Sequence, residues 1–101
     1  MHDVKYLYKR VLKTISDPEY VILLRKLRCK DEWGANLEHV SIIDPRSPIG
    51  PTVIHETLHY LYPKWPEKKT VKYEYKIVNS LTVKQHKNLL QRILWKMEER
   101  L

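Results

Sequence analysis

The chain of 101 residues reads as one small α+β domain. Three observations predict this class. Apolar residues recur at intervals of three and four near both ends and in the middle, as helices require. A β-branched run bounded by turn residues separates the first helix from the later ones. Prolines and a lone capping motif divide the rest into short elements. The expected order is a backing helix, a short β-sheet, a central helix, a further helix and a C-terminal helix over 82–101. The length suits a single core over 1–101 and is too short for two domains folding independently.

Val4, Leu7, Tyr8, Val11, Leu12 and Ile15 lie on one stripe of the first helix, which Ser16-Asp17-Pro18 ends because proline cannot continue the ladder. Tyr20 to Cys29 fits a helix as well as a strand with Val21, Leu23, Leu27 and Cys29 on one face. Strand is preferred, since Leu37 to Ile43 reads as a strand bounded by Trp33-Gly34-Ala35-Asn36 and Asp44-Pro45, and a lone strand needs a partner. The proline-rich stretch Asp44 to Pro51 is a loop. Pro51 suits the first turn of a helix over Thr52 to Tyr62, which Pro63 and Pro66 terminate. Beyond Pro66, Val71, Glu74, Val78 and Leu81 form a helical stripe that contains a carboxylate. Thr82-Val83-Lys84-Gln85 has the form of a capping box, and Val83, Leu90, Ile93, Leu94, Met97 and Leu101 mark the expected inner face of the last helix.

No apolar run approaches membrane-spanning length, and Met1-His2-Asp3 opens no signal or lipidation motif, so the expectation is a soluble, cytoplasmic chain. Cys29 has no partner cysteine and no finger-type spacing around it, which makes it a small core residue. The net charge of +7 suggests a polyanion partner. Lys, Arg, Glu and Asp are interleaved, however, with no run of five or six basic residues, so the charge reads as solvated faces of the kind found in proteins from hot habitats.

The chemistry is concentrated in His55-Glu56-Thr57-Leu58-His59. Histidines four apart on a helix lie one turn above each other, so both imidazoles can reach one tetrahedral zinc ion, and the intervening glutamate can touch a water there. Ile54 and Leu58 supply the opposite, core-facing side. A third ligand is then needed. Trp65 stands where a histidine six residues on would be, leaving Glu67 and Glu74. Glu67 begins a helix, where a carboxylate complements the dipole without any metal. Glu74 lies on an apolar stripe, where an ionised carboxylate needs a facing cation, and is therefore the expected ligand beside His55 and His59.

With that pentapeptide on one helix and Glu74 on the next, the segment from Pro51 to Leu81 resembles the gluzincin metallopeptidases. The length and order of elements are similar to the minigluzincins among them. The resemblance implies a zincin-like scaffold related to the catalytic domains of CAAX-prenyl-protease-type membrane peptidases, zinc as cofactor, a peptide or protein substrate, and often a latent form obstructed by its own C-terminal segment. No acidic residue closely follows Glu74, a departure that leaves Asn79 or backbone carbonyls to orient the histidines.

On this reading Glu56 is the general base for peptide hydrolysis. Leu37 to Ile43 is the edge strand that receives an extended substrate. His86, on the expected inner stripe of the last helix, is the first candidate to stabilise the oxyanion, ahead of His39 and the hydroxyls of Tyr60, Tyr62 and Tyr75. The last residues, Trp95 to Leu101, are expected over or near the cleft. The rival reading is a non-catalytic nucleic-acid module whose final helix offers Lys84, Lys87, Arg92, Lys96 and Arg100 to phosphates.

Overall fold

The computed structural model describes residues 3–25, 34–37 and 39–98. Helix α1 (Val4–Ile15) begins where the Asp3 carboxylate accepts from the Lys5 backbone N–H at 3.0 Å, an N-cap that satisfies an orphan donor. Leu7, Tyr8, Val11 and Ile15 are its buried face, following the predicted stripe.

Strands β1 (Val21–Leu24), β2 (Gly34–Leu37) and β3 (Val40–Ile43) form one sheet in the order β1-β3-β2. β3 runs parallel to β1, with Val21 opposite Val40, and antiparallel to β2, with Leu37 opposite Val40. Two expectations need correction here. Leu37 to Ile43 is not one strand, because the chain reverses between Leu37 and Val40 and places exposed His39 in the turn. Nor is β3 an edge, since β1 and β2 flank it, and the run expected to bound the strand supplies β2 itself. In β1, Val21 and Ile22 are both buried while Leu23 and Leu24 are both exposed, so the expected alternation of faces does not hold. Cys29 and Leu27 lie outside the described residues.

Helix α2 (Ile49–Leu61) starts three residues before the expected Thr52. Pro51 falls in its first turn, where a missing N–H costs nothing, and Tyr62 caps its end through its N–H to the Leu58 carbonyl. Val53, Ile54, Thr57 and Leu58 form its buried side. Helix α3 (Glu67–Ser80) buries Thr70, Tyr73 and Ile77, leaving Glu74 half-buried at the margin and Val71 exposed. In helix α4 (Val83–Glu98) the predicted capping box forms, with Thr82 N–H donating to Gln85 Oε1 at 2.8 Å and Gln85 N–H to Thr82 Oγ1 at 3.1 Å. Its inner face is rotated from the predicted one. Leu89, Ile93 and Lys96 are buried, whereas Val83, Leu90 and Leu94 face outward. No described helix is long and apolar enough to cross a membrane.

One core gathers α1, α2, the sheet, α3 and α4 around Leu7, Ile22, Ile54, Leu58, Ile77 and Ile93. Inside it the Tyr20 hydroxyl is bonded to Ser41 Oγ and stands 3.1 Å from Thr57 Oγ1, tying the start of β1 to β3 and to α2. Since buried hydroxyls are costly unless paired, this network fixes which side of α2 faces inward. The histidines therefore face the other way.

Candidate metal centre

His55 and His59 are half-buried on the side of α2 that meets α3. Their rings are 4.7 Å apart at 72°, and their Nε2 atoms are 3.1 Å apart. The Glu67 carboxylate faces both, with Oε1 at 2.7 Å from His55 Nε2 and Oε2 at 2.7 Å from His59 Nε2. On the other side of the same ring, His55 Nδ1 lies 2.6 Å from Glu74 Oε1. His55 thus spans two carboxylates of one helix. Glu67 and Glu74 are seven residues apart, so they stand on one line of α3 about two turns, or roughly 10.5 Å, from each other.

This differs from the sequence-based expectation of Glu74 beside the two histidines. Helices α2 and α3 run antiparallel through a short connection, so His59, nearest the connection, meets the carboxylate at the very start of α3. The connection itself is held by rings. Tyr62 stacks on Trp65 at 4.3 Å and 8°, Trp65 meets Tyr73 at 5.1 Å, and Arg10 Nη1 donates to the Tyr62 hydroxyl at 3.0 Å. Trp65, two residues before Glu67, is thereby held between two rings. Glu67 does stand in the first turn of α3, as expected, but it also faces both histidines; the missed signal was its separation of eight residues from His59 across a proline-bounded turn.

His55, His59 and Glu67 offer ligand atoms that all lie within 4.8 Å of one another, an arrangement able to hold a metal ion. Two nitrogens sharing a tetrahedral zinc stand about 3.3 Å apart, close to the spacing of the two Nε2 atoms. The donor chemistry also fits, with two imidazoles and one carboxylate, and with Glu74 on the outer nitrogen of His55 in the role that fixes a tautomer. Glu67 is 65% exposed, so the group opens to solvent on that side.

Glu56 is buried on the flank of α2 towards β2. It packs directly on Gly34, where an added Cβ would come within 2.7 Å of Glu56 Cγ and 2.8 Å of Cδ and Oε2. The sequence offered Gly34 only as a turn marker; it is a packing neighbour of the motif, signalled only in that the chain has just two glycines. Burial pushes the Glu56 carboxyl above its ordinary value, against the pull of His55 and His59. His55 is also raised overall. Burial is the largest single influence and lowers it, but the Glu74 hydrogen bond together with the charges of Glu67, Glu56 and Glu74 outweighs that.

No family model, curated protein or solved structure matches the chain.

The other expected residues are elsewhere. His86 is half-buried on α4, and its ring makes no hydrogen bond or ring contact with the group at His55 among the described residues. Tyr75 points to solvent from α3. The Tyr60 ring packs on Tyr20 at 4.7 Å, and the Tyr62 hydroxyl serves Arg10. The end of α4 is fastened to the α1–β1 connection: Arg92 donates to Ser16 Oγ at 2.9 Å, and Lys96 Nζ to the Asp17 and Tyr20 carbonyls. Residues 99–101, part of the segment expected over the cleft, lie outside the described residues.

Proposed function

We propose that this chain is a zinc-dependent metallopeptidase of the gluzincin kind, with His55, His59 and Glu67 as the metal ligands and Glu74 as the residue that orients His55. The observation that carries the reading is the convergence of two Nε2 atoms 3.1 Å apart and one carboxylate 2.7 Å from each, beside a buried glutamate between the histidines in sequence. A zinc ion in this place supplies Lewis acidity towards water and a carbonyl oxygen.

The chain's own residues do the rest. Glu56 takes the proton of the attacking water on its carboxylate and returns it to the leaving amine, a task for which a raised proton affinity is suited. Gly34 leaves room for that side chain. Glu74 accepts from His55 Nδ1, which directs the Nε2 lone pair towards the ligand position. Strand β2 is an edge of the described sheet and carries Gly34 next to Glu56, so an extended peptide adding to β2 by main-chain hydrogen bonds passes the site.

The test is Glu56→Gln compared with wild type, each assayed for bound zinc and for cleavage of unstructured peptides. The variant should hold about one zinc per chain, as wild type does, and lose hydrolysis by at least about 100-fold, the scale of a general base. Equal turnover in both proteins, or wild type that takes up no zinc, overturns the reading.

A further inference from the structure

We infer that α1 and α3 together form a docking surface for single-stranded nucleic acid, next to the metal site but independent of it. The inference starts from how the fold sorts charge. Helix α1 carries Lys5, Lys9, Arg10 and Lys13 and no acidic residue. Helix α3 carries Lys68, Lys69, Lys72 and Lys76, and its two acidic residues, Glu67 and Glu74, both turn to the histidines. The two helices pack against each other. Eight of the nineteen lysines and arginines therefore stand on one pair of helices without a carboxylate among them that is not already facing a histidine.

A chain of ring contacts joins the two sets into one surface. Arg10 lies over the Tyr62 ring at 5.3 Å, Tyr62 stacks on Trp65, and Trp65 meets Tyr73. Lys69 lies 4.7 Å from the Trp65 ring, and Lys76 and Lys72 lie 5.3 and 5.9 Å from that of Tyr73. The solvent side of each helix also presents one open ring among its lysines. Tyr6 is 52% exposed between Lys5 and Lys9, and Tyr75 is 64% exposed beside Lys72 and Lys76.

Cations that track a phosphate backbone, interspersed with open aromatic faces for bases, are what single strands select. The final helix does not compete for this role. Lys96 is buried on backbone carbonyls and Arg92, though exposed, is bonded to Ser16, so among the described residues Lys84 and Lys87 are the exposed cations of α4 that hold no such bond. A bilayer surface is the less suited partner, because the open side chains between these lysines are mainly tyrosines rather than the Trp, Phe and Leu of interfacial helices.

Fluorescence anisotropy of labelled oligothymidylate, with and without zinc, tests the surface. Binding should weaken steeply between about 50 and 200 mM salt. Lys72→Glu with Lys76→Glu, and separately Lys9→Glu with Lys13→Glu, should each flatten the salt slope by about 1.4, at roughly 0.7 per lost phosphate contact. Among the described residues the α1 pair makes no ring contact, so it remains informative if the α3 pair disturbs packing. Lys84→Glu with Lys87→Glu on α4 should leave the slope unchanged. Tyr6→Ala with Tyr75→Ala should reduce preference for the single strand over a duplex of the same length. No oligonucleotide binding at low salt, equal loss from the α4 pair, equal affinity of wild type for duplex and single strand, or binding to phosphatidylserine vesicles in place of oligonucleotide overturns the inference. None of these results bears on whether the protein is a peptidase.

Discussion

Two corners of the molecule dispose of their polar groups in opposite ways. At the α1–α4 corner Lys96 is buried to 8% exposure, yet its ammonium donates to the Asp17 carbonyl at 2.7 Å and to that of Tyr20. Donors meet acceptors there. At the α2–α3 corner two imidazole nitrogens face each other at 3.1 Å and share one carboxylate. Acceptors crowd acceptors there, and only a proton or a metal ion placed among them relieves the arrangement. The first corner is complete as folded, while the second is where the proposed function places a cation.

Variants should separate the two corners. The largest effect is expected for His55→Ala or His59→Ala, which should lose bound zinc and, with it, the stabilisation that zinc gives. That stabilisation is about 4 kcal/mol when free zinc is a thousand times its Kd. Calorimetry with and without zinc measures it, and an unchanged zinc-dependent shift in Tm in either variant breaks the comparison. Next in size should be the two glutamates. Glu74→Ala should weaken zinc by about 10- to 100-fold, as loss of an orienting partner does, and Glu67→Ala should weaken it further. The reverse order in a competition titration with a chelator would return Glu74 to the ligand position.

At the other corner, Lys96→Met should cost about 1–3 kcal/mol by stranding carbonyls, and should leave zinc content unchanged. Denaturant unfolding and metal analysis together read both quantities. The smallest effect is that of pH on the metal-free protein. His55 is raised above its ordinary 6.5, so its contribution is fully present below that value and is lost as pH rises through the folded value. Glu56 is raised above its ordinary 4.5, so its charged form is penalised and stability again falls as pH rises from there. Both act in one direction. Metal-free protein should lose Tm as pH rises from about 4.5, and His55→Ala should lack only the part of that loss that lies above 6.5; zinc should reverse the trend because it needs neutral imidazoles.

Features set by neighbouring residues were legible in the sequence. The α1 stripe, the capping box at Thr82 and Gln85, the proline limits of α2 and the pairing of His55 with His59 all depend on separations of four residues or fewer, and each is present. Features set by distant partners were not. The last helix has apolar residues on two sides, and the buried side includes Lys96, whose stem can be covered because distant carbonyls of the α1–β1 connection accept from its ammonium. The position of Glu67 depended on the antiparallel turn of α3 against α2, and the gathering of lysines on α1 and α3 on two segments more than fifty residues apart. Interleaved charge along a chain need not stay interleaved on a surface.

Gly34 illustrates the same dependence from the opposite direction. Its room is not needed by its own strand, since an ordinary residue could pair with Ile43 as well as glycine does. The space belongs to Glu56, on another element, whose side chain fills the volume where a Cβ would be. Any side chain at this position on β2 would thus require Glu56, a residue in α2, to shift. The two positions are therefore coupled: a larger residue at 34 is best matched by a shorter acid at 56, and Glu56→Asp is the one such change that keeps a carboxylate.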